Sequence, residues 1–309
     1  MKILVTGSNG MLGSDLVYEL CGHHDVFGLS RRGGKKYGTR FYEADVTKPD
    51  AILDIFSDIK PEMVVHTAAY TDVDGCERNP EQAVSVNTDG TRSVAKACST
   101  IGATLFFIST DYVFDGNKME PYDEEDVPKP MNTYGRSKRD AETFLQSAPI
   151  CAYVIRTSWL FGENGKNFFR SIVQKVARGE KLEVVDDQQG APTYTKDVAK
   201  ALRPVLEQLE HDRRQSGSRV YHLANCGRTT WFKAAERIVK KLGTEVEIER
   251  ITSEELDRPA KRPRNSILNT TRIHHDFGIR MRSWEEAVDA YWHESLREEW
   301  EKLIKSHVN

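Results

Sequence analysis

Cysteine is sparse in this chain and follows no pattern. Cys21, Cys76, Cys98, Cys151 and Cys226 are odd in number and contain no C-x-x-C spacing, which argues against a disulfide framework and a zinc knuckle. A reducing cytoplasm is the expected setting. Long apolar runs are missing as well: none approaches the roughly 18 residues needed to span a bilayer. A β-forming run that begins at Lys2 leaves no room for a signal peptide, so no export is expected. Charge of one sign is also lacking. Lys and Arg number 44 against 47 Asp and Glu, a formal net charge of −3, so neither nucleic acid nor an anionic membrane is an expected partner. The nine histidines show no metal-ligand spacing, and the adjacent pairs His23-His24 and His274-His275 point apart on helix or strand. No metal site is read.

What the 309 residues do contain is an alternation of short β-forming runs with amphipathic segments. Lys2 to Thr6 reads as a strand and Met11 to Cys21 as a helix; Val26 to Ser30, Phe41 to Ala44 and Met63 to His66 read as strands, with a helix over Asp50 to Ser57. A long amphipathic segment, Pro80 to Ile101, leads into a strand over Ala103 to Ser109. A helix over Tyr134 to Leu145 then precedes the strand Cys151 to Arg156. The loop between them runs from Asp115 to Thr133. This is a β-α-β alternation, so the class is α/β with a doubly wound, Rossmann-like parallel sheet. Beyond Gly162 the regularity weakens, with helices at Asn167 to Arg178, Thr195 to Glu210 and Trp231 to Leu242, a strand at Glu245 to Ile251 and a closing helix at Ser283 to Trp300. The expected division is a dinucleotide-binding domain over residues 1–165, with return segments near 187–224, and a smaller C-terminal substrate-binding lobe over 166–309.

Gly7-Ser8-Asn9-Gly10-Met11-Leu12-Gly13 lies between the first strand and the first helix. Glycine lets the turn close tightly and lets the helix amino end approach a pyrophosphate, whose charge meets free N–H groups and the helix dipole. The G-x-x-G-x-x-G spacing resembles the extended short-chain dehydrogenase/reductase superfamily. Where an NAD enzyme presents an acid to the ribose, this chain has Ser30-Arg31-Arg32 in a basic loop continuing to Lys35 and Lys36. Two guanidinium groups there suit a 2′-phosphate, so NADPH is the expected cofactor and NADH the weaker alternative. The superfamily resemblance further implies that Asp45 and Val46 hold the adenine, and that Ala68, Ala69 and Tyr70 pass the ribose and nicotinamide.

Tyr134-Gly135-Arg136-Ser137-Lys138 is a Y-x-x-x-K on an expected helix, which puts phenol and ammonium on one side. A tyrosine titrates near pH 10 and is a poor proton shuttle unless a cation favours its phenolate. Thr110, at the carboxyl end of the fifth strand, can hydrogen-bond a substrate carbonyl. The stretches Ser109-Thr110-Asp111-Tyr112-Val113-Phe114-Asp115-Gly116, Arg156-Thr157-Ser158-Trp159-Leu160-Phe161-Gly162 and Gln189-Gly190-Ala191-Pro192-Thr193 narrow the resemblance to the dTDP-4-dehydrorhamnose reductase family. It continues in Ala68-Ala69-Tyr70-Thr71, Asn79-Pro80-Glu81 and Arg262-Pro263-Arg264-Asn265-Ser266, and so covers nearly the whole chain.

That resemblance implies a catalytic trio of Thr110, Tyr134 and Lys138, with the cofactor also on Gly7, Asn9, Gly10, Met11, Leu12 and Gly13. Thr71, Val73, Asp111, Tyr112 and Trp159 would line the sugar-nucleotide site. Arg262, within the basic run Lys261 to Arg264, is placed where the lobe would close on the two phosphates. The implied chemistry is reduction of the 4-keto group of a nucleotide-linked 6-deoxysugar, dTDP-4-dehydro-L-rhamnose giving dTDP-L-rhamnose. Related sugar-nucleotide dehydratases carry Asp-Glu after the threonine; here Tyr112 follows Asp111, so dehydration lacks its base. Epimerases usually hold NAD with an acid where Arg31 and Arg32 stand. The regulatory subunit of methionine adenosyltransferase resembles these reductases without being one, but its counterparts depart from the substrate-side motifs that are intact here. A homodimer stays open, and although some family members bind magnesium at a dimer contact, nothing in the sequence locates such a site.

Overall fold

The computed structural model describes residues 1–33, 37–210 and 217–308. Lys35 and Lys36 lie outside the described residues. Seven parallel strands form the central sheet: β1 Lys2–Thr6, β2 Asp25–Ser30, β3 Arg40–Glu43, β4 Met63–His66, β5 Thr104–Thr110, β6 Cys151–Thr157 and β7 Gly217–His222. Their order is β7-β6-β5-β4-β1-β2-β3. The strand order reverses between the parallel neighbours β1 and β4, and the crevice outside their carboxyl ends is where a doubly wound sheet binds ligands.

Burial on both faces makes the inner strands apolar throughout. Ile3 and Val5 face a layer built from Leu16 and Val17 of α1 (Met11–Cys21) and Leu202 and Val205 of α6 (Thr195–Leu209). Leu4 faces the opposite layer, with Ile52 and Phe56 of α2 (Pro49–Ile59), Val94 of α3 (Gly90–Ile101) and Leu145 of α4 (Thr133–Ser147). Each such side chain contributes about 1.5–3 kcal/mol by leaving water, so the sheet is the rigid base for everything at its edge. A third cluster collects Phe169 of α5 (Phe168–Ala177), Ile238 of α7 (Trp231–Leu242) and Val288 of α8 (Trp284–Tyr291), together with Phe161 and Tyr194.

Four segments differ from the sequence reading. The amphipathic run from Pro80 to Ile101 is broken by a π-helical segment, Val84–Asp89, which swings Asn87 inward. Gly217–His222, which carries only a partial apolar pattern because it is an edge strand, pairs in parallel with β6. The strand expected over Glu245 to Ile251 is confined to Ile248–Ile251, and its partner Leu182–Val185 was not anticipated. The closing helix passes through a π turn at Trp292–Leu296 and runs on to Val308; Ser283 and Glu286 form a capping box at its start. Among the described residues no helix is long and apolar enough to cross a membrane, and no group of His, Cys, Asp or Glu is placed to hold a metal ion.

Candidate active site

A cavity of about 960 Å³ opens at the switch point between β1 and β4. Its floor is the glycine turn. Gly7 adopts a left-handed φ of 69°, and a Cβ there would lie 2.7 Å from the Ala68 nitrogen; at Gly13 it would lie 2.1 Å from the Gly7 carbonyl oxygen. Side chains are therefore excluded at both positions. Gly10 caps α1 without a side-chain acceptor, so the first N–H groups of the helix are free to meet an anion. Asn9 ties this turn to the end of β2: its backbone N–H donates to Ser30 Oγ at 3.1 Å and its side-chain amide to the Arg32 carbonyl at 2.7 Å. Arg31 and Arg32 are exposed at the cavity edge. Met11, Leu12, Asp45, Val46, Ala68 and Ala69 complete this half of the lining.

β5 and α4 bring the remaining groups to the other half. Thr110, the last residue of β5, turns its hydroxyl to Asp111 Oδ1 at 3.0 Å and accepts the Tyr112 N–H at 3.2 Å. Asn132 caps α4 by accepting the Gly135 N–H at 2.8 Å. That fixes the helix start, and with it Tyr134 and Lys138. The Tyr134 phenol lies within hydrogen-bonding reach of Thr110, and burial raises it well above the ordinary tyrosine value. Lys138 Nζ donates to the Ile108 carbonyl at 2.7 Å and sits 3.9 Å from the Phe107 ring centroid. Burial lowers Lys138 to about 7, against the opposing charge of Glu142. Lys138 is thus held by a backbone carbonyl. Burial also raises Asp111 to about 7, with the Ser266 and Thr110 hydroxyls opposing. Thr71, Val73, Tyr112 and Trp159 line the same space.

Two expected residues stand apart. Tyr70 is outside the cavity lining, with its backbone N–H and C=O both bonded to the Asn87 side chain at 2.7 and 3.1 Å. Arg262 is also outside it and donates to Asp74 Oδ2 at 3.0 Å. Burial alone would raise the Asp74 carboxyl, but Arg262, the Ala260 N–H and Arg258 hold it below its ordinary value.

Over residues 1–297 the chain matches the RmlD substrate binding domain family. It belongs to that family. It is 35% identical to a dTDP-4-dehydrorhamnose reductase of Burkholderia thailandensis, covering 93% of this chain and 97% of that protein. It is 34% identical to the spore coat polysaccharide biosynthesis protein SpsK of Bacillus subtilis, covering 95% and 97%. A Bacillus anthracis dTDP-4-dehydrorhamnose reductase solved in complex with NADP superposes with a TM-score of 0.85 at 32% identity, covering 95% of this chain and 99% of that one. The chain is thus an oxidoreductase of the extended short-chain dehydrogenase/reductase type, as its motifs implied.

Within this reductase family framework, several residues that build the site carried no sequence signal. Asn87 also donates to Ser137 Oγ at 2.9 Å, so one amide clamps the segment after β4 to the helix bearing Tyr134 and Lys138. Its inward turn depends on the π segment, which periodicity does not reveal. His66, at the end of β4, is buried between two hydroxyls. Thr91 gives its proton to the Asn87 carbonyl at 2.6 Å, so at 3.2 Å it must accept from His66 Nε2; Nδ1 then accepts from Thr6 at 2.6 Å. The ring is neutral, and burial holds it down to about 3. Lys166 and Trp231 also line the cavity, both contributed from beyond residue 165.

Proposed function

We propose that the protein uses NADPH to reduce the 4-keto group of a nucleotide-linked 6-deoxysugar, converting dTDP-4-dehydro-L-rhamnose to dTDP-L-rhamnose. The observation that carries this reading is the convergence in one cavity of a glycine cradle with no room for a Cβ, the buried Thr110 and Lys138, and the half-buried Tyr134. The residues fit the cofactor. The α1 N–H groups and Gly7, Gly10 and Gly13 suit its diphosphate, Arg31 and Arg32 a 2′-phosphate, and Asp45, Val46, Ala68 and Ala69 its adenine and ribose side. When bound, its nicotinamide supplies the hydride.

The proton comes from Tyr134. A phenol, protonated at neutral pH, is in the correct state to donate to the oxygen of a carbonyl being reduced. Thr110 orients that oxygen once its hydroxyl turns from Asp111, and the Lys138 ammonium, once turned from the Ile108 carbonyl, would stabilise the tyrosinate left behind. Thr71, Val73, Asp111, Tyr112 and Trp159 hold the sugar nucleotide. Arg262 reaches its phosphates only by leaving Asp74. On this reading residues 1–165, with return segments near 187–224, carry the cofactor, and 166–309 mainly form the substrate lobe.

The assay follows NADPH absorbance with the ketosugar nucleotide generated in situ by a dehydratase and epimerase, and identifies the product by NMR. Turnover with dTDP-L-rhamnose as product is the expected result. Tight NADPH binding without turnover would favour a non-catalytic regulatory partner, and a different reduced sugar would reassign the substrate.

A further inference from the structure

The glycine turn suited to a dinucleotide diphosphate contains no cation from Gly7 to Gly13. The amino end of α1 supplies only about half a positive charge, which leaves most of a diphosphate's charge unmatched. Among the described residues four cations line the cavity: Arg31, Arg32, Lys138 and Lys166. Arg31 and Arg32 follow β2, at the adenine end of the site, and Lys138 is buried against the Ile108 carbonyl. Lys166 is different. It is exposed, and among the described residues its ammonium has no hydrogen-bond or ion-pair partner. The acid of its own loop, Glu163, is taken by Lys196 at 2.7 Å.

The backbone around Lys166 is fixed while its side chain is free. Gly165 holds a left-handed φ of 99°, and Arg170 Nη1 donates to the carbonyls of Glu163 and Gly165 at 2.7 and 2.8 Å. Asn167, buried, donates to the Gly162 carbonyl at 2.8 Å and caps α5 by accepting the Arg170 N–H at 3.0 Å. This loop lies on the first residue of α1: a Cβ at Gly162 would be 3.3 Å from Met11 Cγ, and one at Gly165 would be 3.9 Å from Met11 Cε. Lys166 therefore enters the cavity beside the free N–H groups of α1.

We propose that Lys166 is a cofactor-binding residue: its ammonium meets the dinucleotide diphosphate from the loop side, facing the α1 N–H groups. This rests on the cofactor reading above. An ammonium on a flexible stem acts on phosphate as a point charge and needs no fixed fork geometry, which suits a lysine that is unpaired until the cofactor arrives. NADPH and NADH have the same diphosphate, so Lys166 contributes equally to both. Arg31 and Arg32, placed for the 2′-phosphate, discriminate between them. The contact also joins the segment beyond residue 165 to the bound cofactor.

Calorimetric titration of wild-type protein, Lys166→Met and Lys166→Arg with NADPH, NADH, adenosine 2′-monophosphate and dTDP tests this. Lys166→Met should bind NADPH and NADH about tenfold more weakly, the low end for a charge-assisted bond because the site is open to solvent. Its affinity for adenosine 2′-monophosphate and dTDP should hold, and its NADPH affinity should depend less on salt. Lys166→Arg, which keeps the charge, should recover most of the loss. If NADPH weakens and NADH does not, the lysine serves the 2′-phosphate; if dTDP weakens as much as NADPH or more, it serves the sugar nucleotide; if nothing weakens, it is a solvated side chain. Each of these three results overturns the proposal and leaves the cofactor reading standing. Wild-type protein that binds neither NADPH nor NADH overturns the cofactor reading itself.

Discussion

Removing the Glu142 carboxylate should cost the fold more than removing most of its apolar side chains. Glu142 accepts from Arg156 Nε at 3.1 and 3.2 Å, from Arg156 Nη2 at 2.7 Å and from Ser109 Oγ at 2.5 Å. Both charged side chains are only 2% exposed. In Glu142→Ala the guanidinium cannot shed its proton. It stays buried beside the neutral His222 ring and the Phe114 face, 5.1 Å away. Stranding one member of a buried pair costs about 3–5 kcal/mol, whereas replacing both with apolar residues of similar volume is often close to neutral. Glu142→Leu combined with Arg156→Met should therefore recover most of the loss. Urea unfolding of the single and double variants, followed by circular dichroism, gives the coupling directly. A loss below about 1 kcal/mol in Glu142→Ala, or a double variant as unstable as the two losses added, would refute the argument. The pair also touches function: Glu142 lies one turn beyond Lys138 and raises it against burial, so Glu142→Gln should move any Lys138-dependent limb of the kcat profile to lower pH.

Tyr134→Phe should lose roughly 10²–10⁴-fold in turnover while its NADPH dissociation constant holds; comparable steady-state rates would remove Tyr134 from the chemistry. Changing Arg31 and Arg32 to Ala should weaken NADPH about ten- to hundredfold and NADH little, and wild-type protein that uses the two equally would make these arginines bystanders. His66 and His222 are both held to about 3 by burial, with the Arg156 charge adding to the effect at His222. The unfolded chain takes up both protons as pH falls through about 6.5 while the folded chain does not. Their contribution is thus complete above that pH and declines as pH drops toward about 3, by up to about 1.4 kcal/mol per unit for each ring. Urea midpoints between about pH 7 and about pH 5 should fall, less steeply in His66→Asn, and a flat profile would falsify the assignment.

Local chemistry made much of the fold and part of the site legible. The strand-glycine-helix opening at Lys2 to Cys21 needs only apolar spacing and the absence of a Cβ, both local properties, and the structure adopts it with the expected boundaries. The same holds for the end of β5 and the start of α4, where Thr110, Tyr134 and Lys138 are set by strand register and the Asn132 cap. Periodicity could not report the π segment, because its extra residue per turn is fixed by what Asn87 reaches in space. Nor could it show that β7 completes the sheet, since an edge strand buries too little to be apolar along its length.

The sequence by itself determined the parallel α/β class, the glycine cradle, the Arg31-Arg32 pair and the order of the reactive groups, because each depends on residues close together in the chain. Only the tertiary structure decided which distant groups oppose one another. It turned Arg262 to Asp74, gave Lys138 to the Ile108 carbonyl and placed Trp231 on Trp159. Those outcomes rest on pairwise distance and on exclusion of water, which are properties of packing and are not written in any short stretch of the chain.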